Sequence, residues 1–199
     1  MEAIVSTELT RLPGWCTVTK GKRLAALARG TTLCVELGVY GGRSLVAIGL
    51  ALLDQGSGRV DGVDPYDVDA ALEGENGPAV DELWRVTAFG TVESAARNAV
   101  KRLALSERVS FVRARSLDAV LGYADGSVDL LHQDSNHSEL VSCGEVAAWA
   151  PKLRPGGTWV FDDSNWATTQ AAQRMLLERG FTEREDHYLW KVYRAPDVG

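Results

Sequence analysis

The sequence has no long apolar run, no closely spaced pair of cysteines and no concentration of positive charge. Its longest apolar stretch, LVAIGLALL at 45–53, is well short of the roughly 18 residues of a membrane span and is typical of a buried helix. Cys16, Cys34 and Cys143 form no CxxC pair, which argues against a disulfide framework and against structural zinc. Buried free thiols in a reducing compartment are the expected state.

The charge and the N-terminal sequence narrow the class of partner. The net charge is −6 and the pI about 5.1, so we expect neither a nucleic-acid nor a membrane partner. The N-terminus lacks the basic segment and apolar core of a signal peptide, which favours a cytoplasmic location. With 199 residues, 45% hydrophobic and 24% charged, the chain is expected to be a globular protein of ordinary domain size.

Short β-type runs alternate with helical patterns along most of the chain, which predicts a parallel sheet built from crossover units. After Gly180 the alternation predicts two more strands joined by a tight turn, and RPGG at 154–157 predicts a turn. The fold class is therefore α/β, a doubly wound, Rossmann-like sheet with helices on both faces. The predicted strands are 32–37, 59–64, 109–114, 128–133 and 158–162, and the predicted helices are 43–54, 91–105, 139–151 and 167–179.

Two segments fall outside this alternation. Residues 1–30 have helical spacing and are expected to form an extension that packs outside the sheet of a main domain at 31–199. Residues 66–89 connect a strand to a helix and are longer than most such connections. This segment is either a lid over the active site or an additional packed helix.

A glycine-bearing turn follows the first predicted strand, in CVELGVYGGRS. The strand ends at Glu36, and Gly38, Gly41 and Gly42 allow backbone conformations that a Cβ atom disfavours. The spacing is not G-x-G-x-x-G, so a pyrophosphate cradle is disfavoured. Such a turn also occurs where a helix merely packs against a strand.

The next two strand ends also carry polar residues. Asp64 ends the second strand, where an acid commonly binds both hydroxyls of a ribose, although it could instead cap the turn before Pro65. Ser116 follows the third strand and could border an adenine. Together with the glycine turn, these residues predict an edge of the sheet that binds a nucleoside.

Acidic residues follow the fourth and fifth strands. HQDSNHS places Asp134 and His137 after the fourth, and TWVFDDSNW places Asp162 and Asp163 after the fifth. Because parallel strands open onto the same edge, the three carboxylates should converge, and they would repel one another without a cation. Oxygen ligands favour Mg²⁺ first, then Mn²⁺ or Ca²⁺. Alternatively, Asp162 and Asp163 cap a helix. His132 is interpreted as a hydrogen-bonded core residue rather than a ligand.

These motifs, over about residues 31–195, resemble class I S-adenosylmethionine-dependent methyltransferases. They are most similar to the metal-dependent small-molecule O-methyltransferases of the macrocin and mycinamicin sugar type and of the catechol type. The resemblance implies a seven-stranded sheet with an antiparallel last strand. By position it implies cofactor contacts from Glu36, Gly38, Tyr40 and Ser44 around the methionine, Asp64 on the ribose, Ser116 near the adenine, and Asp134.

The resemblance also implies a reaction. Asp134, Asp162 and Asp163 would bind the metal, and His137, three residues after the first ligand, would be the catalytic base, as in the sugar type. The acceptor would be a hydroxylated small molecule, a sugar or glycosylated natural product first and a catechol-like phenol second. Family habit favours a homodimer. The alternatives are a metal-independent methyltransferase, with His137 alone as base, and a nucleoside-binding protein without transfer activity.

The tryptophans separate into two expected groups. Trp166 lies close to the acidic residues and would either stack on the acceptor ring or pack in the protein interior. Trp15 and the remaining tryptophans are expected to be structural, with Trp84 gaining a functional role if 66–89 is a lid.

Overall fold

The computed structural model describes residues 2–197, and these contain a seven-stranded sheet in the order β3-β2-β1-β4-β5-β7-β6. Neighbouring strands from β1 to β5 pair in parallel, whereas β7 lies between β5 and β6 and is antiparallel to both. The predicted fold class is confirmed. The strands are β1 (Leu33–Leu37), β2 (Arg59–Val63), β3 (Val109–Val112), β4 (Val128–Gln133), β5 (Leu153–Asp162), β6 (Thr182–Asp186) and β7 (Trp190–Arg194).

Helices cover both faces of the sheet, and each face has its own buried apolar cluster. Alternate residues of β1 supply the two clusters, with Cys34 in one and Val35 in the other, as the period of two of a strand requires. The helices are α1 (Glu2–Arg11), α2 (Val18–Leu27), α3 (Arg43–Gln55), α4 (Val68–Ala71), α5 (Pro78–Val86), α6 (Phe89–Arg102), α7 (Ser116–Ala119), α8 (Glu139–Trp149) and α9 (Gln170–Glu178).

The N-terminal helices α1 and α2 share the core of the main domain. Leu9 and Leu24 are almost completely buried in the same cluster as Leu45 of α3. A Cβ atom on Gly21 would displace the side chain of Leu9, so α1 and α2 approach closely where they cross. The predicted extension is therefore helical and lies outside the sheet, but it is packed as part of one continuous core.

The predicted turn at 154–157 is wrong, because these residues lie within β5. Val128 of β4 pairs with Leu153 and Leu130 pairs with Thr158, so the extra residues of β5 form a bulge. Gly156 supplies a positive φ of 66° there, and its N–H donates to the Pro196 carbonyl. Proline and glycine are tolerated in a strand at such irregularities.

The sheet register determines which chain segments meet at the carboxyl edge. Glu36 of β1 is opposite His132 of β4, and Gln133 of β4 is opposite Phe161 of β5. The next residues along the chain, Asp134 and Asp162, therefore emerge side by side at this edge.

The three cysteines are free, as expected, and burial raises the pKa of the Cys16 and Cys34 thiols to about 12. Within residues 2–197, no helix combines the length and the apolar character required to cross a bilayer.

Candidate active site

Two adjoining cavities open at the carboxyl edge of the sheet. The smaller has a volume of about 110 Å³ and the larger about 410 Å³. They adjoin each other, because five residues contribute to the lining of both. The residues that line both are Gly38, Tyr40, Trp84, Asp134 and Ser135.

The glycine turn between β1 and α3 contributes Gly38 and Tyr40 to the lining that the two cavities share. Gly38 has a φ of +83°, and a Cβ atom there would collide with the backbone carbonyl of Asp134. Gly42, with a φ of +84°, caps α3. Gly38 therefore serves the close approach of the β1 and β4 loops, which places Asp134 beside the turn.

Asp64 anchors this turn from the end of β2. Its Oδ2 accepts the N–H groups of Val39 and Tyr40, both at 2.9 Å, and its Oδ1 accepts the N–H of Tyr66 at 2.7 Å. Burial raises the pKa of Asp64, and these three hydrogen bonds oppose that rise. A carboxylate has about four acceptor positions, so Asp64, which lines the smaller cavity, retains one for a ligand.

The far side of the smaller cavity contains a buried polar group that the sequence did not reveal. Glu145 of α8 is fully buried, and it accepts hydrogen bonds from Ser135 at 2.5 Å and from Gln133 at 2.8 Å. Burial raises the pKa of its carboxyl. Ser116, at the start of α7, lines the same cavity. This position is compatible with the predicted contact between Ser116 and an adenine.

Glu36 and His132 form a completely buried pair on the neighbouring strands β1 and β4. His132 Nδ1 lies 2.8 Å from Glu36 Oε1, and neither residue has measurable solvent exposure. The expected hydrogen bond of His132 is therefore present. Glu36 does not line either cavity, whereas Gly38, Tyr40 and Ser44 line the larger one.

The acidic residues and His137 converge on the larger cavity. His137 Nε2 lies 2.9 Å from Asp163 Oδ2 and 3.7 Å from Asp134 Oδ1. Burial lowers the pKa of His137, but the carboxylates of Asp134 and Asp163 outweigh it and raise the pKa to about 9. These carboxylates therefore favour the cationic imidazole, whose charge compensates Asp163.

A lysine from the N-terminal region compensates the other two carboxylates. Lys20 Nζ donates to Asp134 Oδ2 at 3.2 Å and to Asp162 Oδ2, and the lysine is only 3% exposed. Burial raises the pKa of Asp134, but the charges of Lys20 and of the two histidines outweigh this and hold it below its usual range. Lys20 belongs to none of the sequence motifs that predict the site. Its one signal is a charged residue four positions before Leu24 on the apolar face of α2.

Lys20 lies between two of the three predicted metal ligands, Asp134 and Asp162. One oxygen of Asp134 and one of Asp162 lie within 4.8 Å of each other and of His132 Nε2, a spacing that suits a cation. The ammonium of Lys20 already binds those two oxygens. A divalent ion placed among them would be repelled by this neighbouring positive charge.

The loop after β4 also holds the segment 66–89. The side-chain amide of Asn136 donates to the carbonyls of Ala70, Ala71 and Glu73 at 2.9–3.1 Å. This segment forms α4 and α5 and contributes wall residues to both cavities. Asn136 thus binds a segment that lines both cavities, and Ser135 donates to Glu145, which lines the smaller one.

Aromatic rings line the mouth of the larger cavity. Trp15 lies 5.0 Å from Tyr40 between ring centroids and 6.1 Å from Trp84. Trp15, which was expected to be structural, is 63% exposed, whereas Trp149 is fully buried. Trp166 lies 5.0 Å from His137 and also lines the cavity.

Comparison with known proteins identifies the type of domain. Residues 35–164 match the profile of a family described as a methyltransferase domain. Among curated protein sequences, none matches the chain significantly.

Several solved structures share the fold. The O-methyltransferase NovP superposes with a TM-score of 0.69 at 16% identity, over 90% of this chain and 81% of NovP. A SAM-dependent O-methyltransferase from Thermotoga maritima gives 0.67 at 13% identity, over 96% of this chain and 71% of that one. TomG from Streptomyces achromogenes, solved in complex with SAM (S-adenosylmethionine), gives 0.60 at 15% identity, over 97% and 86%.

Proposed function

The chain belongs to the methyltransferase domain family, and we propose that it transfers a methyl group from S-adenosylmethionine to a hydroxyl of a small molecule. The observation that carries this proposal is the wall common to the two cavities. Asp134 lies in that wall, and the larger cavity beyond it contains His137 and Asp163. A cofactor that occupies the smaller cavity and reaches the shared residues would present its methyl group to His137 and Asp163.

The cavity lining suits each part of the cofactor. The smaller cavity offers apolar side chains such as Phe89 and Val141 to a flat base, and it offers the remaining acceptor position of Asp64 to a ribose hydroxyl. The acidic end, at Asp134, suits the positive charges of the methionine part. Bound S-adenosylmethionine supplies a methyl group on a positively charged sulfur, which an oxygen nucleophile attacks in line.

His137 is the residue best placed to remove the acceptor proton. In its neutral form, Nε2 accepts the proton of the hydroxyl, the oxygen forms the new bond to the methyl carbon, and the carbon–sulfur bond breaks to leave a neutral thioether. Asp163, 2.9 Å away, stabilises the imidazolium that results. Orientation of the two bound reactants contributes up to about 7–11 kcal/mol in well-oriented systems.

The lining of the larger cavity limits the acceptor. Trp166 adjoins His137, and Trp15 and Trp84 flank the opening, so the acceptor would place a ring against these aromatic faces and a hydroxyl at Asp163. A sugar or glycosylated natural product comes first, because the resemblance associates histidine at position 137 with sugar substrates. A catechol-like phenol is the second class, which the aromatic lining favours.

Calorimetric titration with S-adenosylhomocysteine tests the cofactor, and mass spectrometry after incubation with S-adenosylmethionine and separate sugar, glycoside and phenol panels tests the transfer. We expect binding that weakens at least about tenfold in Asp64→Asn, which loses a carboxylate oxygen, a difference of about 1.4 kcal/mol. The exposed Asp54→Asn variant is the matched control. No binding by the wild type would refute the proposal, and binding without methyl transfer to any acceptor would favour a non-catalytic nucleoside-binding protein.

A further inference from the structure

We propose that Lys20 supplies, from within the chain, the positive charge that the converging carboxylates require, and that the transferase therefore works without a divalent metal. This inference rests on the proposed function for its catalytic part. Lys20 is a positioning residue: it holds the acidic residues in place beside His137 and the reacting groups.

Lys20 lies on a helix whose position is fixed by an N-cap, an ion pair and burial. Thr17 caps α2 by accepting the N–H of Lys20 at 3.2 Å, which orders the turn that carries the side chain. Three residues later, Arg23 forms an ion pair with Glu185 of β6, and this pair ties the same helix to the sheet. The lysine is 3% exposed, so its side chain is packed rather than free to leave the cluster.

Each carboxylate of the cluster has a nitrogen neighbour from the chain itself. Asp134 and Asp162 face Lys20, Asp163 faces His137, and Glu36 faces His132 beneath them. Two groups of three side chains within the described residues have metal-like spacing, and they share Asp134. One group adds His132 and Asp162, and the other adds His137 and Asp163. In one of them Lys20 binds both carboxylates, and in the other His137 lies between the acids.

Removal of the lysine charge should create the metal site that is now blocked. Lys20→Met keeps a side chain of similar length but leaves Asp134 and Asp162 without a cation. We expect this variant to bind one equivalent of Mn²⁺, measured by the loss of the free-ion signal in electron paramagnetic resonance. The wild type, freed of metal with EDTA, should bind Mn²⁺ about 10–100-fold more weakly, the range over which supporting residues change metal affinity.

Two further variants distinguish a local charge effect from a general one. Lys101→Met removes an exposed lysine of α6 and should leave Mn²⁺ binding and stability as in the wild type. The double variant Lys20→Met/Asp162→Asn removes the pair together and should lose the Mn²⁺ site that the single variant gains. If Lys20→Met does not fold, the wild-type titration with Mn²⁺ still decides the question.

Stoichiometric Mn²⁺ binding by the wild type, abolished in Asp163→Asn, would overturn the inference. Once an acceptor is known, wild-type turnover should be unchanged in EDTA, and Lys20→Met should lose turnover and regain it on addition of Mg²⁺. A wild-type enzyme that EDTA inactivates and Mg²⁺ restores would also contradict the proposal of a metal-independent transferase. The S-adenosylhomocysteine titration separates the two proposals, because it measures the cofactor site with no metal present.

Discussion

The side-chain amide of Asn136 donates to the backbone carbonyl of Glu73 at 2.9 Å, which fastens the loop between β4 and α8 to the segment that walls both cavities. The same amide reaches the carbonyls of Ala70 and Ala71 at the end of α4. One side chain therefore couples the loop that carries Asp134 and His137 to residues 66–89, which contribute to the walls of both cavities and are called the cover. This coupling makes the cover sensitive to a substitution outside it.

Replacement of Asn136 by alanine should loosen the cover and weaken cofactor binding. Loss of these hydrogen bonds costs about 1–3 kcal/mol when the carbonyls remain unpaired, so we expect the dissociation constant for S-adenosylhomocysteine to rise about tenfold. Limited proteolysis should cut faster within residues 66–89. Asn98→Ala, at an exposed position of α6, is the control. Unchanged affinity and unchanged proteolysis would show that Asn136 does not hold the cover.

Substitution of His137 by asparagine should reduce kcat without changing the affinity for the cofactor. General base catalysis contributes about 10²–10⁴-fold, so a loss in this range is expected once an acceptor is known. His137 lines only the larger cavity, and S-adenosylhomocysteine affinity should therefore stay within about twofold of the wild type. His187→Asn, on the surface beside Glu185, is the matched control. Full activity of His137→Asn would remove the histidine from the mechanism.

The wild-type rate should also depend on pH in a defined direction. The carboxylates of Asp134 and Asp163 outweigh burial and raise the pKa of His137 to about 9, so the neutral base is scarce at pH 7. The rate should increase as the pH rises towards 9, and a pH–rate profile with a known acceptor measures this. A rate that is flat between pH 6 and 9 would contradict the assignment of His137 as the base.

Gly38 should tolerate alanine poorly. A Cβ atom would meet the Asp134 carbonyl, and the φ of +83° is unfavourable for any residue that has one. We expect Gly38→Ala to lower the free energy of unfolding by about 2 kcal/mol or more, measured by urea denaturation. Gly90→Ala, in the first turn of α6 with open space around it, should be neutral or stabilise by up to about 1 kcal/mol. Equal effects of the two substitutions would refute this explanation of Gly38.

The ion pair of Arg23 with Glu185 should stabilise the protein only above acidic pH. The guanidinium of Arg23 lowers the pKa of Glu185 from an ordinary 4.5 to about 2, despite partial burial. Its contribution is therefore complete above about pH 4.5 and is lost as the pH falls towards 2. Because Arg23 is 39% exposed, the contribution should be about 1 kcal/mol or less.

Thermal unfolding of Glu185→Gln at several pH values measures this pair. The variant should unfold at a lower temperature than the wild type at pH 7, and this difference should shrink as the pH falls through about 2. Glu178→Gln, at an exposed position of α9, should follow the wild type throughout. A stability difference that persists unchanged down to pH 2 would exclude the ion pair as its cause.

The order of elements and the position of the site could be inferred from sequence patterns alone. Alternating apolar residues mark a strand wherever they occur, and Glu36, Asp64 and Asp134 stand at or just beyond predicted strand ends that a parallel sheet brings to one edge. The error at 154–157 has a local cause. Proline and glycine signal a turn in most contexts, and the bulge that accommodates them depends on pairing with β4.

What the tertiary structure alone established is the set of partners across long separations in the chain. Lys20 lies 114 residues from Asp134, and no periodicity in α2 specifies which acid its ammonium meets. Trp15 illustrates the same limit, because nothing in the sequence around it shows that its exposed ring lines the larger cavity. Repeating patterns report which face of an element is buried. The choice of partner on that face follows from the packing of whole elements, and here that packing placed a lysine where the carboxylates alone predict a metal.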